Sequence, residues 1–456
     1  MSKLCIHNAL VVSGTDVKQG GVIVDDRGKI AKITAPDEKP ISSDNVIDAE
    51  GCLLFAGFID AHVHMREPGA PNKESYDSGT RSAACGGVTT VMCMPNTDPP
   101  VTDINGFWET RRAAEGFAYV DFCIQAGINV NSVDNIQSLW EAGVTSFEAF
   151  LSDASDSDML AISDFLSLAT SIAEINGVLG VYSGSKELLE AKLRDLKKLN
   201  KGNVTLLDLA RARDPLSEAL GISTTVEVCR ATRVKTVLRQ TSTARGFIIA
   251  RDAKKGDPDL PLAVEVTPHH LHLTEKRIRE LSGFAYMIPP VRSRNDCEAA
   301  ISALVDGTID FVGSDHAPHQ EEEKLSKDPW SVPGGVPGLD TIVPAVLDFA
   351  SREIISYEDV ARLLCERPAS LFGIRDRKGD LKPGSDGDIV LVDPNLKGKI
   401  TRDDILSKAK RSPFEGHKLS GRVVLTVLRG EIIAQNGEIT GSKTLGSFVP
   451  RGKVKW

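Results

Sequence analysis

The stretch Phe58–Gly69 contains the two residues best suited to chemistry, His62 and His64. The apolar run Leu53–Ala56 precedes it and a Pro-Gly pair ends it, which predicts a buried strand that turns into a loop. Because side chains alternate along a strand with a period of two, we expect both imidazoles on one side. Such a pair is typical of half a metal site. Two core histidines are the alternative.

A carboxylate with suitable surroundings follows the last strand-like run of the middle region. It is Asp315, in the segment Gly313-Ser-Asp-His-Ala-Pro-His319. A carboxylate at the end of a strand can bind a metal and accept the proton of an attacking water. An aspartate that merely begins a loop is the alternative, but its combination with His62 and His64 favours a site.

Two further polar residues are suited to binding an anionic group. Arg66 lies on the loop after His64, and its planar guanidinium matches a carboxylate. Asn96 follows a strand-like run in Met94-Pro-Asn-Thr97, where its amide could bond the same group. A surface cation and an ordinary turn residue are the alternatives.

Repeated strand and helix patterns position these residues. Between about 56 and 377, strand-like apolar runs alternate with helical segments, which predicts a parallel (β/α)8 barrel. A doubly wound open sheet is the alternative, but no Gly-x-Gly-x-x-Gly follows the first strand. In a barrel the functional groups lie at the carboxyl ends of the strands, where the polar residues occur.

The two ends of the chain have a different pattern from the middle. Residues 1–55 and 378–456 both contain short alternating runs separated by turn residues, which predicts one β-domain built from both termini. The domains are then 1–55 with 378–456, and 56–377. We expect the run Gln320–Lys327 to be a solvated loop and the turn-rich segment Ser331–Gly338 to be a substrate-side lid.

Composition excludes several functional classes. The 456 residues are 41% hydrophobic and 26% charged, as in ordinary globular proteins. A net charge of −9 argues against binding of nucleic acid or an anionic membrane. No apolar run reaches membrane-spanning length, and no signal peptide is evident. The eight cysteines are scattered without a Cys-x-x-Cys pair, so we expect a reduced, cytoplasmic setting.

Several motifs in one order support a family resemblance. They are His62-Val-His-Met-Arg-Glu-Pro-Gly69, Gly86-Gly-Val-Thr-Thr90, Met94-Pro-Asn-Thr97, Val266-Thr-Pro-His-His-Leu271, Asp315-His-Ala-Pro-His319 and Ser412-Pro-Phe-Glu-Gly416. Together they resemble a class I dihydroorotase of the cyclic amidohydrolase superfamily more than an allantoinase. The resemblance implies a barrel with a β-sandwich domain built from both termini. It also implies that Arg66, Asn96 and His319 bind a substrate carboxylate, and that Asp315 is the general base and acid.

The chain departs from this family at metal-ligand positions. The resemblance implies two metals bridged by a carboxylated lysine on strand four, but no lysine occurs between Lys73 and Lys186, and Glu148 takes that position. Tyr182 and Gln240 replace the ligand histidines of strands five and six, and are poor ligands. His62, His64, Glu148 and Asp315 remain as a four-ligand set for one Zn²⁺. Ile288 stands where bacterial relatives have Asn.

Two functional hypotheses follow. The first is a metal-dependent hydrolase that reversibly opens the ring amide of dihydroorotate or a related carboxylated ureide, with an allantoinase or hydantoinase as variants. The second is an inactive homologue with a structural or regulatory role, for example beside an aspartate transcarbamoylase. A homodimer is open in either case. Altered chemistry with Tyr182 as an acid is a third option.

Overall fold

The N-terminal strands belong to a sheet that packs beside the barrel. The structure, a computed structural model, describes residues 2–36, 38, 43–154, 159–199 and 203–456. The first strands are β1 Ser2–Val12, β2 Val17–Asp25, β3 Ile30–Thr34, β4 Ser43–Asp48 and β5 Leu53–Ala56. β1 pairs antiparallel with β2 and parallel with β4 and β5.

Parallel strands of the middle region form the barrel. They are β6 Phe58–Val63, β7 Val88–Cys93, β8 Asp121–Ile124, β9 Ala126–Gly127, β10 Phe147–Phe150, β11 Val178–Tyr182, β12 Lys235–Leu238, β13 Leu262–Val266 and β14 Phe311–Val312. Every residue of β6 and β7 is buried, because strands of a parallel barrel are covered on both faces. β8 and β9 are one strand interrupted at Gln125.

Hydrogen bonds close these strands into a ring. β6, β7 and β8 are neighbours, β9 pairs with β10, and the order continues from β10 to β14. The last strand returns to the first through a parallel bridge between Val63 and His316, where the His64 N–H donates to the His316 carbonyl. The prediction of a barrel is confirmed, and the open-sheet alternative is wrong.

Helices cover the outside of the barrel and connect its strands. They are α1 Tyr76–Cys85, α2 Ile104–Ala114, α3 Ile136–Ala142, α4 Ile162–Glu174, α5 Lys186–Leu199, α6 Leu206–Ala212, α7 Pro215–Thr232, α8 Ala244–Gly256, α9 Pro268–His272, α10 Lys276–Leu281, α11 Arg294–Val305, α12 Glu321–Lys324, α13 Ile342–Ser351, α14 Tyr357–Ala361 and α15 Arg367–Leu371. Several begin at side-chain caps, such as Ser75 before α1 and Asp214 before α7. Among the described residues, no helix combines the length and apolar character needed to cross a bilayer.

The C-terminal strands complete the sheet begun by the N-terminus. They are β15 Ile389–Lys399, β16 Lys418–Leu428, β17 Glu431–Gln435 and β18 Glu438–Ile439. β15 pairs antiparallel with β5, which joins the two ends of the chain in one nine-stranded sheet. The domain limits given above stay a prediction, and positions 1, 37, 39–42, 155–158 and 200–202 within them lie outside the described residues. All eight cysteines are described, and each has a free thiol.

Candidate active site

Three predicted residues meet at the carboxyl end of the barrel strands. The Nε2 atoms of His62 and His64 lie 3.3 and 3.2 Å from Asp315 Oδ1. The two imidazole rings are 5.4 Å apart, as expected for side chains on one side of a strand end. His62 and Asp315 are buried, and His64 is partly exposed to the cavity above. These three side chains form a group able to hold one metal ion.

Hydrogen bonds at the other ring nitrogens orient both imidazoles. His62 Nδ1–H donates to Glu265 Oε1 over 2.6 Å, and His64 Nδ1–H donates to Asn96 Oδ1 over 2.6 Å. Each bond needs a proton on Nδ1 and turns Nε2 toward Asp315, where this atom can bind a metal whenever it carries no proton. A histidine that binds a metal through one ring nitrogen usually donates the N–H of the other to a carboxylate or carbonyl oxygen, which fixes its orientation.

The donor set fits a zinc ion. Zinc binds imidazole nitrogen and carboxylate oxygen at about 2.0–2.1 Å, so tetrahedral ligand atoms lie about 3.3–3.4 Å apart. The measured separations from Asp315 Oδ1 are close to that value. Three protein ligands also leave one position open, as in catalytic zinc sites. The Tyr182 hydroxyl donates to His62 Nε2 over 2.7 Å, so zinc would replace Tyr182 as the partner of that atom.

Glu148, the fourth predicted ligand, has a different partner. Its Oε1 and Oε2 accept hydrogen bonds from Arg239 Nη2 and Nε over 2.7 and 3.0 Å. Ser146 also donates to Oε1 over 2.6 Å. The structure does not bring Glu148 into the group formed by His62, His64 and Asp315. Its role as a metal ligand therefore stays a prediction, and this geometry argues against it.

Sequence reasoning missed Arg239 and Glu265. Arg239 directly follows β12, and its fully buried side chain lies inside the barrel. Glu265 lies within β13 and binds both Arg239 and His62. A signal was present, because charged residues inside otherwise apolar strand runs must find partners in the interior.

Burial and neighbouring charges shift the pKa values of these groups. Burial opposes ionisation of Asp315, but His62 and His64 outweigh it and lower its pKa to about 2. Burial lowers the pKa of His62, but Glu265 and Asp315 outweigh that effect and leave it above its usual value. Burial raises the pKa of Tyr182 well above its usual value. Asp315 is therefore ionised and Tyr182 protonated at neutral pH.

A cavity of about 290 Å³ opens above the donor group. Arg66, Asn96 and His319, the residues expected to bind a substrate carboxylate, all line it. Arg66 Nη2 lies 3.3 Å from His319 Nε2, whose N–H donates to the Gly334 carbonyl over 3.1 Å. Burial and the charge of Arg66 lower the pKa of His319 to about 2, so this ring is neutral. Arg66, Asn96 and His319 therefore combine one cation with neutral donors, and Arg213, Arg239 and Arg292 line other parts of the cavity.

Sharp backbone turns direct several of these side chains inward. Arg66, Gln240 and Asp315 have φ values of 60°, 50° and 48°, in the left-handed region that residues with a side chain seldom adopt. Such conformations cost free energy and concentrate at functional sites. Each follows the end of a barrel strand, so the turns place polar side chains at the cavity floor.

The residues at the replaced ligand positions also line the cavity. The Tyr182 ring stacks on Phe150, with centroids 4.4 Å apart and planes 11° from parallel. Gln240 is buried, and its Oε1 has no hydrogen-bond partner among the described residues. A buried amide oxygen without a partner costs free energy unless a ligand bonds it.

The segment Ser331–Gly338, predicted to be a lid, borders this cavity through Gly334 and Gly335. Lys324 holds it, because its Nζ donates to the carbonyls of Pro333 and Gly335 over 2.9 and 2.7 Å. The prediction that residues 320–327 form a solvated loop is wrong at Lys324, which is 4% exposed at the end of α12. The three carbonyls that bind its ammonium, including that of Tyr286, explain its burial.

Comparison with known proteins identifies the same protein family as the sequence motifs. Residues 53–433 match the amidohydrolase family. The chain belongs to the amidohydrolase family. It is 34% identical to a dihydroorotase of Methanosarcina acetivorans, over 98% of this chain and 96% of that protein. It is 32% identical to an allantoinase of Rubrobacter xylanophilus, over 96% and 97%.

A solved structure gives the same result for this amidohydrolase. The L-hydantoinase (dihydropyrimidinase) from Arthrobacter aurescens superposes with a TM-score of 0.94 over 99% of this chain and 100% of that one, at 27% identity. These comparisons confirm the resemblance to class I dihydroorotases within the cyclic amidohydrolases, and they confirm that the protein is a hydrolase.

Proposed function

We propose that this amidohydrolase is dihydroorotase-like and reversibly hydrolyses the ring amide of dihydroorotate or a related carboxylated ureide, with one zinc ion. The observation that carries the proposal is the convergence of His62 Nε2, His64 Nε2 and Asp315 Oδ1 at the floor of a cavity that Arg66 also lines. The dihydroorotase of Methanosarcina acetivorans, similar over almost its whole length, supports this substrate class.

The charges of the buried centre favour a single divalent cation. Among the side chains bonded to one another, Arg239 is positive, whereas Glu148, Glu265 and Asp315 are negative. Metal binding requires both imidazoles to be neutral, and in that state two negative charges of this group have no counterion, which is costly in a buried site. A zinc ion held by His62, His64 and Asp315 would compensate them and supply the Lewis acidity that amide hydrolysis needs.

Asp315 is placed to move the proton. Its carboxylate is ionised at neutral pH and lies at the cavity floor, so it can accept a proton from water and return it to the leaving ring nitrogen. It is the one carboxylate that the structure places both in the donor group and in the cavity lining. Closure of the ring uses the same groups in reverse.

Arg66, Asn96 and His319 are proposed to hold the substrate carboxylate. The guanidinium of Arg66 supplies the charge, and His319 stays neutral. Asn96 uses its Oδ1 for His64, and its Nδ2 makes no hydrogen bond to the described residues, so that group can donate to the substrate. This arrangement would orient the ring amide toward Asp315, and such positioning lowers the barrier to reaction.

Metal analysis together with turnover tests the proposal. We expect about one zinc per chain in zinc-replete protein, and absorbance changes of dihydroorotate in both directions. Asp315→Asn should lower turnover by roughly 10²–10⁴-fold. Asp376→Asn, on the exposed surface, is the matched control. Zinc-replete protein without bound metal and without turnover would contradict the proposal.

Two alternatives have their own support. The likeness to the L-hydantoinase structure favours an enzyme that opens an uncharged ring, in which case hydantoin or allantoin would be hydrolysed faster than dihydroorotate. The hydrogen bond from Tyr182 to His62 Nε2 favours an inactive homologue, because it uses the lone pair that a metal needs. The same metal and turnover measurements, extended to these substrates, separate the alternatives. Tyr182 as an acid, the cytoplasmic location, a homodimer and an aspartate transcarbamoylase partner stay predictions.

A further inference from the structure

Arg239 has an unusual environment for a cation. Its side chain is fully buried, and Nη1 donates to Glu265 Oε2 over 2.6 Å and to the Ala61 carbonyl over 3.2 Å. Nε and Nη2 form a two-pronged bond with Glu148. The guanidinium lies over the Phe372 ring, 5.1 Å from its centroid. One cation therefore joins two carboxylates from different strands inside the barrel.

Both carboxylates would otherwise be available to a metal. Burial raises the free energy of an ionised carboxylate, and an arginine or a metal can compensate it. Burial disfavours the charge of Arg239, but Glu148 and Glu265 outweigh this effect and raise its pKa above the usual value. The guanidinium is therefore a permanent charge, and a second metal ion at these carboxylates would meet its repulsion.

The contacts also link Arg239 to the proposed zinc ligand. Glu265 accepts from Arg239 through Oε2 and from His62 Nδ1 through Oε1. Arg239 thus holds the Glu265 carboxylate in place, and Glu265 accepts the proton that His62 carries on Nδ1. The guanidinium acts on the donor group through one intermediate carboxylate.

We propose, building on the one-metal hydrolase proposed above, that Arg239 is a resident cation of the centre. It occupies Glu148 and Glu265, limits the centre to one metal ion at His62, His64 and Asp315, and positions His62 through Glu265. Glu148 is then a partner of Arg239 and not a metal ligand. Arg239 is a positioning residue, since its hydrogen bonds go to Glu148, Glu265 and the Ala61 carbonyl and not to His62, His64 or Asp315.

Zinc stoichiometry after dialysis against excess zinc, with folding followed by circular dichroism, tests the proposal without reference to activity. Wild type and Glu148→Gln should each bind about one zinc per chain with similar affinity. His64→Ala should lose zinc, which shows that the assay detects a true ligand. Loss of zinc in Glu148→Gln would overturn the role given to Arg239 and leave the hydrolase proposal intact. Two zinc ions in wild type would overturn that role and the one-zinc stoichiometry, but not the hydrolytic activity, which turnover measures separately.

Substitution of Arg239 itself provides a second test of the number of metal ions bound. Arg239→Met frees two buried carboxylates, so we expect a second metal ion, visible with Mn²⁺ as a spin-coupled pair in electron paramagnetic resonance. Arg239→Lys keeps the charge and should bind one. Glu265→Gln should weaken zinc binding roughly 10–100-fold through His62. A single ion in folded Arg239→Met would overturn the proposal, and if that variant does not fold, the Glu148→Gln and Glu265→Gln results decide. Absence of metal in every zinc-replete protein would overturn the hydrolase proposal as well.

Discussion

Gly180 on β11 lies against the carboxylate of Glu148 on β10. The two residues are partners in the register of these parallel strands. A Cβ atom at position 180 would lie 2.1 Å from Glu148 Oε2, closer than any non-bonded contact allows. The missing side chain therefore provides the space in which Glu148 reaches Arg239 at the end of β12.

We predict that Gly180→Ala breaks this pairing. The added methyl group must displace either the Glu148 carboxylate or the strand, and both are buried. We expect a loss of roughly 2–4 kcal/mol in the free energy of unfolding, measured with urea. Gly256→Ala, at the end of α8, is the control, because a Cβ there meets no atom within 4 Å. Equal stability of the two variants would contradict the packing described.

Arg66 gives a prediction about substrate charge. Arg66→Met removes the cation that we expect to bind the substrate carboxylate, so kcat/KM for dihydroorotate should fall about 10–100-fold. Arg66→Lys keeps the charge but not the planar guanidinium, so its kcat/KM should lie between those of wild type and Arg66→Met. The carboxamide analogue of dihydroorotate is the control, since wild type should discriminate against it and Arg66→Met should not. Undiminished discrimination by Arg66→Met would remove Arg66 from the carboxylate site.

Gln240 gives a prediction in which stability and activity move in opposite directions. Its buried Oε1 lacks a partner, so Gln240→Leu should leave the free enzyme as stable as wild type or slightly more stable. If Oε1 accepts a ring N–H of the substrate, kcat/KM should fall about 2–10-fold. The exposed Gln137 on α3 provides the control variant Gln137→Leu. A fall in stability without a change in kcat/KM would show a purely structural role.

Local sequence patterns were sufficient to predict the fold. The apolar runs at 53–63 and 88–94 have the length and composition of strands covered on both faces, and the structure forms β5, β6 and β7 there. The histidine pair is likewise local, because a spacing of two residues fixes the side on which both rings lie. Asp315 needed only its position after the last strand-like run.

Pairing across the barrel was not predictable in the same way. Glu148 and Arg239 are 91 positions apart, and their meeting depends on strand register and on the small residue at Gly180. The sequence indicates that a buried glutamate needs a cation, but it does not distinguish a metal ion from a guanidinium. The prediction that Lys324 is solvated fails for a related reason, because its acceptors are backbone carbonyls whose positions the sequence does not reveal.

A histidine far from the cavity gives a prediction about pH. Burial lowers the pKa of His272 to about 4, and its Nε2–H donates to the Ala345 carbonyl over 2.8 Å. Between pH 6.5 and 4 the unfolded chain binds a proton there that the folded chain does not, so stability falls as the pH falls. From pH 7.5 to 4.5 this group alone should cost about 2–3 kcal/mol.

Urea unfolding of His272→Gln at both pH values measures that contribution. Glutamine can still donate to Ala345 but does not titrate, so the loss of stability between pH 7.5 and 4.5 should be smaller than in wild type by the amount given above. His7→Gln, on β1, controls for the loss of a histidine elsewhere. The same pH dependence in His272→Gln and wild type would show that His272 does not titrate in this range.

Lys378 joins the barrel to the nine-stranded sheet. Its Nζ lies 2.5 Å from Asp121 on β8, 2.6 Å from Asp388 just before β15, and 2.9 Å from Asp386. The three carboxylates form a second group able to hold a metal ion, but the ammonium already supplies the positive charge. Burial disfavours that charge, yet the carboxylates outweigh this effect and raise the pKa of Lys378 above its usual value.

Removal of the Lys378 ammonium should therefore lower the free energy of unfolding far more than removal of an exposed lysine ammonium. Lys378→Met removes the ion-pair partner of buried Asp388, whereas Asp121 keeps Arg429 and Asp386 keeps Lys29 and Arg377. Because one buried carboxylate is then left unpaired, we expect a loss of about 3–5 kcal/mol in the free energy of unfolding. Lys382→Met is the matched control, because Lys382 is half exposed and its pair with Asp380 contributes at most about 1 kcal/mol. Zinc content per folded chain should be the same in Lys378→Met and wild type if the ion binds only at His62, His64 and Asp315. A loss in Lys378→Met no larger than in Lys382→Met would mean that the carboxylates are neutral or compensated in another way.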